Sequence, residues 1–297
     1  MKAERPVLKA RQTLVLASFG VSARESRATL DKLAEEMALG LPELQIVQAY
    51  TSGFICRKIR EQGGFAWQLP ECLEALSGAG VPAVCIQPSH LTQGEEFRHK
   101  LLPALELAEK LGFAGTALGE PLLSGMEDYP ALLHALLDSY RLAPGEQLVL
   151  LGHGSPHEHN PVYDKLQAVA DAQGHGEVHI GVLEPSDRPD FAAVLSRLRA
   201  AGKQSVLLTP LLLTGGVHVE RELAGAGADS WLSRLQAAGF TVRADKRGLG
   251  ELPLVRQLYL AKARKLYSLT KKPSPLGVSL RTGVRWTPWR GDRVSGG

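Results

Sequence analysis

The chain has 297 residues, 44% of them hydrophobic and 22% charged, a balance that excludes general disorder and leaves room for a large buried core. Its net charge of +3 is concentrated in the last 28 residues, where six Lys and Arg face one Asp, so residues 1–269 carry a net −2. A nucleic-acid partner therefore has no basic body to bind. The longest apolar stretch, Val206 to Val217, is interrupted by Thr209, Pro210, Thr214 and a Gly pair. That is short of the roughly 18 apolar residues of a membrane span, and no membrane partner is expected.

Cys56, Cys72 and Cys85 are an odd number with no metal-type spacing and read as buried thiols. No apolar leader precedes Thr13, so a cytoplasmic location is expected.

In chain order, a short apolar run, Leu14 to Ser18, ends at Phe19-Gly20 and is followed by helical spacing from Arg24 to Leu39, with Leu30, Leu33, Met37 and Ala38 on one face. Strands are predicted at Gln45 to Ala49 and Ala83 to Gln87, and helices at Glu95 to Leu111 and Asp128 to Tyr140. The pattern then restarts. Leu148 to Leu151 ends at Gly152-His153-Gly154, a helix carries Val162, Leu166, Val169 and Ala170, and strands follow at Val178 to Leu183 and Ser205 to Leu208. Helices at Ser230 to Ala238 and Leu252 to Leu269 complete the second half.

The repeat reaches individual residues. Ile86-Gln87-Pro88 and Leu91-Thr92-Gln93-Gly94 match Leu208-Thr209-Pro210 and Leu213-Thr214-Gly215-Gly216 at a constant offset of 122. Alternating strands and helices with short Gly/Pro loops predict an α/β protein of two similar lobes. Each would be a parallel sheet flanked by helices, with a cleft between them. The boundaries are an extension over 1–12, a first lobe over 13–143, a second lobe over 144–269 carrying the site, and a basic, unfolded tail over 270–297.

In open α/β sheets ligands bind at the carboxyl ends of strands, and Ser18, Tyr50, His90, His153, Glu184 and His218 stand at such ends. Five of the nine histidines lie between His153 and His179; His157 and His159, in a loop, read as solvated. His153 differs, because it sits between two glycines directly after an apolar strand, where backbone can approach a ligand closely. Glu184 ends the next strand and His218 follows the Gly pair after the third. Two imidazoles and a carboxylate form an N,N,O set with open positions, suited to divalent cobalt, nickel, iron or zinc. The alternative is structural: Glu184 caps a helix starting near Ser186, and His218 hydrogen-bonds inside the glycine turn. No hydrolase elbow, Walker loop or strand-linked GxGxxG is present.

Together the motifs LASFGVS at 16–22, AYTSGFI at 49–55, QPSHLTQGEE at 87–96, LLGHGSPHEHN at 150–160, VLEPSDRP at 182–189, LLLTGGVHVERE at 211–222 and DSWLSRLQAAGF at 229–240 resemble one family. It is the anaerobic, single-subunit cobalt chelatases that insert a divalent metal into sirohydrochlorin, class II chelatases related to ferrochelatase. The resemblance implies His153, Glu184 and His218 as metal ligands and catalytic residues. The family's first-half motif also matches at His90, Gly94, Glu95 and Glu96, which read as cleft residues that contact the tetrapyrrole or feed metal in, and to which Ser18 and Tyr50 are added by position; Glu95 and Glu96 read equally well as helix-start residues. Arg57, Lys58 and Arg60 are further candidates for the carboxylates of the ring.

The implied reaction is Co2+ insertion into sirohydrochlorin with loss of two pyrrole protons, and no cofactor beyond the metal substrate is expected. The alternatives are insertion of Fe2+ or Ni2+ into sirohydrochlorin or a related tetrapyrrole, and a carrier of haem or metal without catalysis. A homo-oligomer is compatible with the sequence. Val217, where a small acidic residue is expected, and the tail depart from the family pattern.

Overall fold

Each half builds the same four-stranded parallel sheet. In the first, β1 (Thr13–Ser18), β2 (Gln45–Tyr50), β3 (Ala83–Pro88) and β4 (Gly115–Leu118) run in the order β2-β1-β3-β4. In the second, β5 (Gln147–Gly152), β6 (Val178–Val182), β7 (Ser205–Pro210) and β8 (Thr241–Ala244) run in the order β6-β5-β7-β8. The computed structural model describes residues 6–270 apart from Glu158, Val217 and His218. The predicted tail from Lys271 onward lies outside the described residues. The six expected strands are present. β4 and β8 were not expected: each is a four-residue edge strand, and β8 is mostly exposed, so neither carries a long apolar run.

Nine α-helices flank the sheets among the described residues: α1 (Arg24–Gly40), α2 (Gly53–Glu61), α3 (Leu69–Gly78), α4 (Leu102–Lys110), α5 (Asp128–Tyr140), α6 (Val162–Ala172), α7 (Phe191–Ala201), α8 (Trp231–Ala237) and α9 (Pro253–Thr270). One position of the predicted α1 stripe differs, since Ala38 is exposed and Ala34, outside that stripe, packs on the core instead. The single helix expected from Glu95 to Leu111 is interrupted by a π-helical turn, Phe97–Leu101. Pro103, which has no N–H to return to the preceding turn, sits at that junction. A second π-helical turn, Val219–Leu223, stands 122 residues later, so the internal repeat extends to the backbone.

Strand alternation divides the core. Leu14 and Leu16 of β1 and Leu148 and Leu150 of β5 turn to one shared cluster with α1, α5, α6 and α9. Val15 and Ala17 face α3 and α4, and Val149 and Leu151 face α7 and α8. Each fully buried Leu or Val contributes about 1.5–3 kcal/mol, and the shared cluster makes the two halves one hydrophobic body.

The long helices cross over. α9, which follows the second half in sequence, packs on β3 and β4 of the first, and its Tyr259 hydroxyl donates to the Ser89 carbonyl at 2.8 Å. α5, at the end of the first half, packs on α6, and its Tyr140 hydroxyl accepts from Thr209 of β7 at 2.7 Å. The loops beyond the strand ends meet in the same reciprocal way. Ser26 at the start of α1 donates to the Gly215 carbonyl at 3.1 Å, and Asn160 just before α6 approaches Thr92 at 3.5 Å. Paired contacts of this kind are the mark of a two-fold relation, and they bring the carboxyl ends of both sheets to one region.

Candidate functional site

β5 is buried over its whole length and ends at Gly152, after which His153 emerges exposed. The flanking glycines make room for protein. A Cβ on Gly152 would lie 2.1 Å from the Tyr163 ring, and one on Gly154, which has φ +81°, would lie 2.7 Å from Glu184 Cβ. The expectation that they admit a ligand backbone-close is thus replaced by tight packing that aims the imidazole outward. The Tyr163 hydroxyl accepts from the Gly154 N–H at 3.2 Å and fixes the turn.

Glu184 follows β6, and its N–H donates to the His153 carbonyl at 2.9 Å, extending the β5–β6 pairing past both strands. Its carboxylate accepts from the Ser186 hydroxyl at 2.9 Å and from the Ser186 N–H at 3.3 Å. The helix-cap alternative for Glu184 does not hold. α7 begins only at Phe191, and Asp190 caps it by accepting from the Ala193 N–H at 3.0 Å.

A buried carboxylate, Asp187, closes the loop between these residues. It accepts from the Ser155 N–H at 2.9 Å, from the Arg188 N–H at 2.7 Å and from His159 Nδ1 at 2.7 Å. The other His159 nitrogen lies 2.6 Å from Asp164 on α6. Two carboxylates on one ring favour the doubly protonated imidazolium, and the hydrogen bond to Asp187 with that to Asp164 raises the His159 pKa. His159, expected to be solvated, is therefore a clasp between the loop, α6 and the turn after Glu184, although its side chain is 44% exposed.

His218, the third expected ligand, and Val217 lie outside the described residues. Among the described residues, no three His, Cys, Asp or Glu side chains come together as a metal site. The loop that leads to His218 is anchored: Gly215 by Ser26, and Leu213 by accepting the Gly250 N–H at 2.9 Å while packing beside Tyr50 and Leu30.

In the first half, Ser18 is buried and its hydroxyl accepts from Ser89 at 2.8 Å, joining the ends of β1 and β3. Tyr50 is buried, and burial raises its phenol pKa to about 12, so it remains neutral. It also borders a groove of about 700 Å³ along the outer edge of β2 that none of the other site residues line. His90 follows β3, and both its ring nitrogens are shielded from solvent without a hydrogen-bond partner among the described residues. Burial pushes its pKa down to about 4, leaving a neutral imidazole with unused polar capacity, which is unusual unless a ligand satisfies it.

Glu95 and Glu96 open the helical turn before Phe97 and point apart: Glu95 is exposed, whereas Glu96 accepts from Thr51 at 2.7 Å. Arg60 is committed to Glu71 and to the Ala66 carbonyl, which takes it from the candidates for ring carboxylates, while Arg57 and Lys58 remain exposed on α2.

The family model described as cobalt chelatase (CbiK) matches residues 12–267. The chain belongs to the cobalt chelatase family. It is 32% identical over 254 residues to the sirohydrochlorin cobaltochelatase of Salmonella typhimurium, covering 84% of this chain and 94% of that protein. It is 28% identical over 254 residues to sirohydrochlorin cobaltochelatase CbiKC of Nitratidesulfovibrio vulgaris, covering 84% and 89%. Among solved structures, SirB from Bacillus subtilis with Fe3+ superposes with a TM-score of 0.60 at 17% identity, covering 86% of this chain and 95% of that one, a likeness of fold.

Of the residues around His153 and Glu184, Ser186, Asp187 and His159 were missed from sequence. VLEPSDRP does place Asp187 three residues after Glu184, at a spacing that closes a turn. Nothing in it says that the carboxylate is buried under the His153 loop.

Proposed function

We propose that this chelatase inserts Co2+ into sirohydrochlorin. His153, Glu184 and His218 hold the incoming ion, and Ser18, Tyr50, His90, Glu95 and Glu96 form the first-half side of the cleft that receives the macrocycle. The hydrogen bond from the Glu184 N–H to the His153 carbonyl carries the reading, because it joins the backbones of a carboxylate-bearing and an imidazole-bearing residue at adjacent strand ends. The match of nearly the whole chain to the cobalt chelatase family supports the reaction.

Metal insertion exchanges protein ligands for four ring nitrogens while two pyrrole N–H protons leave. Neutral imidazole and carboxylate oxygen both bind divalent cobalt, and three protein ligands leave positions through which the ring nitrogens enter. As the ion moves to the ring, each imidazole nitrogen that releases it regains a lone pair, and His153 then accepts one pyrrole proton while the second passes to solvent water. Glu184, oriented by Ser186, balances the charge of the ion. A rigid cleft holds the ring buckled, which exposes its nitrogens and spends binding energy on distortion. A protonated imidazole has no lone pair for a metal, so acid opposes the reaction.

The location is proposed as cytoplasmic; no helix among the described residues is long and apolar enough to cross a membrane. The deciding assay follows the absorbance of sirohydrochlorin with Co2+, Fe2+ or Ni2+ and purified protein. Turnover above the uncatalysed rate, lost in His153→Ala and His218→Ala while the fold persists, is expected. Equal rates in wild type and both variants would overturn the assignment.

A further inference from the structure

The internal repeat can be read residue by residue at the site. In the second half Leu183 N–H donates to the Gly152 carbonyl at 2.9 Å and Glu184 N–H to the His153 carbonyl at 2.9 Å. In the first half Thr51 N–H donates to the Ser18 carbonyl at 2.8 Å and Ser52 N–H to the Phe19 carbonyl at 3.2 Å. The glycine after each pair, Gly154 and Gly20, has positive φ, +81° and +100°. Phe19 is thus the counterpart of His153, Ser52 of Glu184, and Phe54 of Ser186.

Where the second half presents groups that suit a cation, the first half presents two aromatic rings. Phe19 is 50% exposed and Phe54 63% exposed, and they are among the few large apolar side chains left open to solvent. Phe19 lies in the loop after β1 and Phe54 in the first turn of α2, and the Ser52 to Phe19 hydrogen bond joins the two segments. A phenylalanine so exposed forgoes the free energy of burial, and two on adjoining segments past neighbouring strand ends mark a surface that awaits an apolar face.

The contacts of Ser26 with Gly215 and of Asn160 with Thr92 each join the start of the first helix of one half to the loop after the third strand of the other, the pattern that a two-fold between the halves would produce. A two-fold sets equivalent strand ends on opposite sides of the space between the halves. The ring of a tetrapyrrole is a broad, conjugated plate, and metal offered from one side requires the other side to be backed. We infer that Phe19 and Phe54 form an aromatic wall that stacks on the face of the macrocycle turned away from His153 and Glu184. The inference rests on the proposed site, and it assigns the first-half copy of that site to holding the plate. Stacking of this kind tolerates substituents at the rim and asks only for a flat π surface, so the wall sets the class of ligand and the second half sets the metal.

The test uses full-length protein carrying Phe19→Ala, Phe54→Ala, both together, or Phe19→Tyr, beside His153→Ala. Metal-free sirohydrochlorin binding is read by its fluorescence, Co2+ binding by calorimetry without the ring, and turnover by absorbance. Each Phe→Ala variant is expected to weaken sirohydrochlorin binding and raise KM about tenfold, the pair more, with Co2+ binding unchanged and Phe19→Tyr close to wild type. Unchanged sirohydrochlorin binding in the double variant would overturn the wall, including the case in which only its oligomeric state alters. Loss of turnover in His153→Ala with that result leaves the metal site standing. Full turnover in His153→Ala overturns the metal-site reading itself.

Discussion

The main-chain N–H of Glu184 donates to the carbonyl oxygen of His153 at 2.9 Å, and the Cβ of Glu184 lies where a Cβ on Gly154 would have to go, 2.7 Å away. Two side chains of the proposed metal set thus share one backbone unit, with a glycine as the spacer between them.

Gly154→Ala is therefore expected to push Glu184 and His153 apart as well as to strain a residue at φ +81°. A cost of about 1–3 kcal/mol in stability is expected, with a much larger loss of cobalt insertion. Urea unfolding beside the absorbance assay checks this, and activity that survives in a destabilised variant would contradict the role of the spacing.

Asp187 gathers three donors, from Ser155, Arg188 and His159. Asp187→Ala leaves two part-buried N–H groups and the His159 ring without their acceptor and is expected to cost roughly 2–3 kcal/mol, whereas His159→Ala, at a half-exposed ring, costs about 1 kcal/mol. Both should weaken Co2+ binding by loosening the His153 loop. The His159 pKa is raised in the folded protein, so its stabilising effect is present in full below the ordinary histidine value and is lost as pH rises through the raised one. Denaturation of both variants across pH 5–9 tests the ranking, and a larger loss in His159→Ala would reverse it.

Burial pushes both His90 and His179 down to about 4. An unfolded chain protonates these rings near pH 6.5. Between about 6.5 and about 4 the unfolded state binds more protons than the folded one, so stability falls as pH is lowered through that window and is flat above it for these groups. Each contributes roughly 3 kcal/mol at the acid end. Replacing His179, whose Nε2–H donates to Gln147 Oε1 at 3.0 Å, by Gln is expected to flatten the decline. An unchanged acid limb in His179→Gln would contradict it.

Much of the fold was legible because it repeats. The match of Ile86-Gln87-Pro88 to Leu208-Thr209-Pro210 foretold two sheets of one design, and β3 and β7 end at those prolines. β4 and β8 were not legible, since four residues such as Gly115–Leu118 and Thr241–Ala244 carry too little pattern to separate a strand from a loop. At the site, His153 and Glu184 stood out as polar residues ending apolar runs. His159 did not, because a histidine in a polar loop looks solvated until the fold brings Asp187 and Asp164 to its two nitrogens.

The exchange of α5 and α9 between the halves reaches into how the chain comes to exist. The sheet that begins at Thr13 receives its covering helix from Pro253–Thr270, so a growing polypeptide holds that surface bare until almost all of it has been made. The halves cannot mature one after the other, and a chain cut before α9 would lose the first half rather than the second. The same exchange packs α5 on α9 inside the shared core, so the two halves are tied together by buried apolar contacts and a wide swing of one against the other would have to break them.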